Sequence, residues 1–266
     1  MIHRRLVLAV VAAAVAIALG SCGTAPRPNK VIVLGIDGLD PQALDLMMSE
    51  GLMPNFARLR QDGAYGKLRA ADPMLSPVLW TTIATGKDPS RHGIGHFVAA
   101  ESEKGDKLPV TSTMRRVEAL WNIASDAGRR VATVGWWATW PPETVNGVVV
   151  SDHTCYHFLF DHGEADGPQT EVTYPPELVG ESGPLIRRPD DISHEEARRF
   201  VDVPPAFFDR SFDFADEIGH LRWAVATADS YRDIGLELWR GRQPDLLMVY
   251  IEGTDSISHL FGHLFR

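Results

Sequence analysis

The sequence holds only two cysteines, Cys22 and Cys155. Two cannot staple a disulfide-dense scaffold, so a packed core must hold the fold. Basic residues are also in short supply: 26 Lys and Arg stand against 35 Asp and Glu, for a net charge of -9. A nucleic-acid surface needs clustered cations to displace phosphate counterions, so that class of partner is excluded. The longest apolar run, Leu6 to Leu19, has 14 residues, against the roughly 20 that a membrane-spanning helix requires. Internal repeats and low-complexity tracts are absent from the sequence.

What is present is ordinary globular composition, 44% hydrophobic and 23% charged over 266 residues, enough for one large α/β domain. The N-terminus is a separate matter. Arg4 and Arg5 precede the apolar run, which closes in Leu19-Gly20-Ser21-Cys22. This resembles the lipobox of bacterial lipoproteins, where small residues let the peptidase approach and the cysteine is acylated. On that reading residues 1–21 are a signal peptide, Cys22 carries the lipid and residues 22–29, with Pro26 and Pro28, form a tether. The expected location is then the periplasmic or cell-envelope face of a bacterial membrane, and the membrane is a partner through this anchor. A plain secretory signal with an incidental cysteine is the alternative. Cys155, left alone, is expected to be a structural thiol.

From residue 30 the pattern alternates. Lys30 to Ile36 is a run rich in β-branched and apolar residues ending at Asp37-Gly38, a buried strand entering a turn. Helical patterns follow from Pro41 to the Gly51 stop and from Pro54 to Leu59. Ala64 to Ala71 predicts a strand, and Ser76-Pro77 opens a helix that Gly86 stops. Val117 to Ala127 predicts a helix, Arg130 to Gly135 and Val148 to Val150 strands, Asp213 to Trp239 a long amphipathic helix, and Leu246 to Ile251 the last strand. Strands alternating with helices imply a doubly wound, mainly parallel sheet flanked by helices. Residues 162–212, rich in Pro, Gly, Asp and Glu, read as an irregular insertion or cap.

In open α/β sheets ligands collect beyond the carboxyl ends of the strands, which singles out three places. Asp37 leaves the first strand and can reach a metal, although Asp-Gly pairs also serve simply as turns. Ser76 puts a hydroxyl at a helix N-terminus, where an anion is favoured; an N-cap role is the competing reading. Asp255 and His259 are four positions apart after the last strand. If the chain turns helical there, carboxylate and imidazole share one face and can share a divalent ion, zinc first and manganese or iron after it. The competing reading is a solvated helix end. His263 lies one turn further and is expected to be exposed.

Three segments, VIVLGIDGLD, SPVLWTTIATGKDPSRHGI and DLLMVYIEGTDSISHLF, occur in this order across nearly the whole chain beyond residue 30. Together they resemble the type I phosphodiesterases and nucleotide pyrophosphatases of the alkaline phosphatase superfamily. The resemblance implies an alkaline phosphatase-like catalytic domain over residues 30–266, with two divalent metal ions. It implies that Asp37 binds one metal, that Ser76 is the nucleophile touching it, and that Asp255 and His259 bind the other. The implied activity is hydrolysis of a small phosphate ester, diester or monoester, through a covalent intermediate on Ser76.

Two departures shape the expectation. Ser76 and Leu79 stand where nucleotide-cleaving members carry Thr and, three positions on, Asn, which weakens the case for nucleotide substrates. The family's later Ser-Asp-His-Gly segment and a further His do not occur before Arg266, so the C-terminal part of the domain is expected to be missing. Ser151-Asp152-His153 imitates that segment without its Gly and in the wrong order; we read it, with His157 and His162, as structural rather than ligating. Trp136, Trp137 and Trp140 suit a pocket or a core equally, and His92 reads as a turn residue. Sulfatases use a Cys/Ser-x-Pro-x-Arg signature that Ser76-Pro77-Val78-Leu79-Trp80 lacks. The remaining alternative is a non-catalytic, lipid-anchored binding domain or inactive fragment with an incomplete metal site.

Overall fold

Strand β1 (Val31–Ile36) ends at Asp37, and helix α1 (Pro41–Ser49) follows at once because Asp40 caps it. The Asp40 carboxylate accepts from the N–H groups of Gln42 and Ala43 at 2.6 and 2.9 Å, and Pro41 presets the first turn. The computed structural model describes residues 29–101, 107–155, 171–208, 213 and 215–264, nearly all in one unit spanning residues 31–266. The proposed signal peptide and Cys22 lie outside the described residues, as do His157 and His162. Among the described residues no helix is long and apolar enough to cross a membrane.

After α2 (Pro54–Asp62) the chain runs irregularly to α3 (Ser76–Thr85), which stops on Gly86 in the left-handed region, and to the short α4 (Pro89–His92). A small antiparallel pair, β2 (Val98–Glu101) and β3 (Lys107–Pro109), stands apart from the main sheet. Then come α5 (Leu120–Asp126), β4 (Val131–Val134) and β5 (Gly147–Val150). The two-residue β6 (Thr173–Tyr174), α6 (Leu178–Ser182) and α7 (His194–Ala197) lead to the long α8 (Glu217–Gly241). Strand β7 (Leu246–Ile251) and α9 (Gly253–Phe261) complete the order.

The main sheet runs β1-β7-β4-β5-β6, parallel except for β6. Alternation along the strands builds two cores. Val33, Val131, Val149, Leu246, Met248 and Tyr250 face one side with Trp80, Trp121 and Trp136. Ala132, Val134, Val148, Val150, Leu247 and Val249 face the other, with Tyr231, Ile234 and Leu238 of α8. Burying apolar side chains on both faces supplies the main driving force of the fold. Gly35 lets α3 approach: a β-carbon there would stand 2.6 Å from the Trp80 ring. Strand β1 is an edge, and Ile32 and Leu34 are both 54% exposed beside a groove of about 480 Å³ against α8.

The sheet and flanking helices agree with the α/β reading of the sequence. Residues 64–71 do not form the expected strand: they carry no regular secondary structure and are exposed. A local segment cannot make a strand without a neighbour to hydrogen-bond. The segment instead lines a cavity beside Asp37. The described part of the expected insertion carries short elements clamped to α8. Arg187 donates to Asp229 at 2.6 Å and Glu196 at 2.8 Å, and Arg222 donates to the Pro189 carbonyl at 2.9 Å and Asp190 at 2.7 Å.

Candidate active site

Adjacent parallel strands deliver their C-terminal ends side by side, so β1 and β7 bring Asp37 and Asp255 into one place. The ladder continues past β1, with the Asp37 N–H donating to the Ile251 carbonyl at 2.9 Å. Gly38 then turns away at φ +63°, its hydrogens packed on the Asp255 backbone. The Asp37 carboxylate is held twice: Oδ1 accepts from the Gly38 N–H at 3.0 Å, and Oδ2 from the Tyr250 hydroxyl at 2.6 Å. Tyr250 is fully buried, and burial, then the Asp37 charge, pushes its phenol well above the ordinary range, so it keeps its proton and donates.

Helix α9 starts directly after β7 and places Asp255 and His259 one turn apart. Asp255 Oδ2 lies 3.6 Å from His259 Nε2, and the His259 side chain is 80% exposed. Burial and then the Asp37 charge raise the Asp255 carboxyl, while His259 opposes the shift. Glu252 adds a third carboxyl. Its Oε1 accepts from Ser256 Oγ at 3.3 Å, and its Oε2 is buried without a hydrogen-bond partner. Burial, then Asp37 and Asp255, push this group up to about 8. His220 of α8 is lowered by burial and by His259. The sequence pattern passed over Tyr250, Glu252 and His220; the signal available was the nearness of the first two to the β7 exit.

Ser76 is the first residue of α3 and half-buried, and among the described residues its hydroxyl has no side-chain hydrogen bond. The cap position belongs to Leu75, so the N-cap reading of Ser76 does not hold. Trp80, one turn on along the same helix face, anchors α3 to the site. Its ring meets Gly35, two residues before Asp37, and stands edge-on to Tyr250 at 5.0 Å. Leu79, Trp80 and Ile83 share with Asp37 a cavity of about 670 Å³ that Tyr65, Lys67 and Leu68 also line. Apolar walls with a few polar groups are usual for a site that takes an organic ligand.

The residues set aside as structural have visible duties. Asp152 is 3% exposed, and its Oδ2 accepts from the Ala138 N–H at 2.9 Å, holding Ala138 at φ +56°. Its Oδ1 takes the Thr139 hydroxyl and the His153 N–H at 3.3 and 3.2 Å. The His153 ring stacks on Trp140 at 4.4 Å. Trp136 and Trp137 are buried, and both meet the Tyr250 ring. His92 departs from a simple turn residue: it is fully buried, with Nδ1 accepting from the Ile94 N–H at 3.1 Å and Nε2 3.0 Å from Thr82 Oγ1. Cys155 is buried and free, and burial pushes its thiol up to about 12, an inert state. His263 is exposed, as expected.

The donor chemistry suits a hard or borderline divalent cation. An Asp255 carboxyl raised by burial and by the Asp37 charge, and an orphaned buried Glu252 oxygen, are both relieved by positive charge, and the His259 imidazole beside Asp255 is a further donor. Among the described residues, however, no three His, Cys, Asp or Glu side chains converge as a metal-ligand group.

A family model described as "Type I phosphodiesterase / nucleotide pyrophosphatase" matches residues 31–264. The chain belongs to this family. Phosphonoacetate hydrolase from Sinorhizobium meliloti 1021, solved with phosphonoacetate and with phosphonoformate, is similar at 18% identity and a TM-score of 0.45 in both structures. The match covers 90% of this chain and 52% of that one, so the chain spans about half the length of these solved structures. No curated protein matched the sequence. The type I phosphodiesterase match spans all three segments noted in the sequence, those of β1, α3 and β7–α9.

Proposed function

We propose that this chain carries the nucleophile and part of the metal site of a metal-dependent phosphoric ester hydrolase. The observation that carries the reading is the meeting of Asp37 and Asp255 at the ends of adjacent strands, with Trp80 tying the Ser76 helix to the same place. Asp37 and Ser76 would hold one divalent ion, and Asp255 with His259 another, zinc being the best match to carboxylate and imidazole. Bound metal would supply the positive charge that activates the Ser76 hydroxyl and offsets charge on the phosphoryl oxygens.

The reaction proceeds in two displacements. Ser76 Oγ attacks phosphorus and gives up its proton; the bond from phosphorus to the ester oxygen breaks, and the departing oxygen keeps the electron pair and is protonated. Water then attacks the phosphoryl-serine, and Ser76 leaves with its oxygen and recovers a proton. The cavity lined by Leu79, Trp80 and Ile83 accepts the organic part of a small phosphate ester. Export and lipid anchoring through Cys22 would place this activity on the cell envelope.

The test is turnover of bis-p-nitrophenyl phosphate and p-nitrophenyl phosphate with zinc supplied. Ser76→Ala should abolish turnover and leave zinc binding nearly intact. Equal turnover in Ser76→Ala refutes the nucleophile.

A further inference from the structure

We infer that Tyr250 is a positioning residue that sets the orientation of the Asp37 carboxylate for metal binding; this rests on the reading of Asp37 as a ligand. Tyr250 reaches Asp37 across 213 positions of sequence and donates to its Oδ2 at 2.6 Å. The ring cannot swing away. It is 0% exposed and meets Trp80, Trp136 and Trp137 edge-on, with centroids 5.0, 6.3 and 6.3 Å distant. Trp136 is fixed in turn by donating its indole N–H to the Trp80 carbonyl at 3.0 Å. The other Asp37 oxygen is occupied by the Gly38 N–H. Each oxygen therefore has one donor and retains a lone pair, and the carboxylate plane is set before any cation arrives. Groups that orient a ligand in this way govern affinity without touching the metal.

Tyr250→Phe removes one hydroxyl and keeps the ring in its aromatic cage. Zinc binding by titration calorimetry should weaken about 10- to 100-fold, the range for partners of metal ligands, while the thermal midpoint of the metal-free protein stays unchanged. Asp37→Ala, measured alongside, should lose more. Parent-like affinity in Tyr250→Phe with weakened binding in Asp37→Ala overturns the positioning role alone. Parent-like affinity in Asp37→Ala, or no zinc binding by the parent chain, overturns the ligand reading and the inference with it. A lowered midpoint without a change in affinity shows a structural role and also overturns it.

Discussion

Gly38 lies against Asp255: a β-carbon on Gly38 would stand 2.5 Å from the Asp255 Cα, and Gly38 holds φ at +63°. The turn that frees the Asp37 side chain thus works only because the residue after it has none. Gly38→Ala should lose about 1–2 kcal/mol through the left-handed backbone alone, and the collision with backbone adds to this because no flexible side chain can yield. Denaturant unfolding and zinc titration of the same variant should both register the loss; parent values in both would show that the two carboxylates do not depend on this contact.

Asp255 and Ser76 should separate binding from chemistry. Asp255→Ala removes a charged donor and should weaken zinc binding, whereas Ser76→Ala should not. Metal content after equilibrium dialysis is the readout. Equal zinc content in Asp255→Ala and the parent chain contradicts the ligand assignment.

Stability of the metal-free protein should fall as pH rises from about 7 to about 9. Burial raises Asp152 to about 7 and Glu252 to about 8, from ordinary values of 3.8 and 4.5. Each folded-state pKa is above its unfolded value, so the folded chain binds these protons more tightly. That stability is full below the ordinary carboxylate range and is lost as pH climbs through the folded values. Below neutrality His92 and His220, lowered by burial, act in the opposite sense and flatten the profile. Zinc should restore more stability at the alkaline end, because ligands must be deprotonated to bind. Denaturant midpoints with and without zinc test both statements; a metal-free midpoint that climbs over this range contradicts them.

Asp152→Ala should cost about 1–3 kcal/mol, the penalty of leaving a buried donor without its partner. The Ala138 N–H is that donor, and Ala138 has no side chain with which to compensate its positive φ. Zinc affinity should be unaffected at first order, since both Asp152 oxygens serve the backbone and Thr139. A large loss of zinc binding without a loss of stability would make Asp152 a ligand instead.

Strand β7 was legible because it is buried on both faces and matches the apolar run Leu246 to Ile251 to the residue, whereas β1, expected to be buried, is an edge strand with Ile32 and Leu34 exposed. Residues 64–71 misled because a strand needs a neighbour to hydrogen-bond, which a local sequence segment does not reveal. The two-residue β6 was too short to leave a pattern, and β2 and β3, with Val98 their single β-branched residue, carry little strand signal. At the site, Asp37, Asp255 and His259 announced themselves by position after strands. Tyr250 did not, because a tyrosine inside an apolar strand reads as core; its hydroxyl acquires meaning only when β1 lies alongside. Glu252 was hidden similarly, as its burial depends on how α9 folds back after β7.

On the proposed mechanism the Ser76 hydroxyl attacks phosphorus and carries the phosphoryl group between the two displacements. Acid-quenching the zinc-loaded protein during turnover of bis-p-nitrophenyl phosphate, followed by peptide mass mapping, should find the phosphoryl group of the substrate on Ser76 and nowhere in Ser76→Ala. Turnover with an unmodified Ser76, or a label on another residue, would contradict the account.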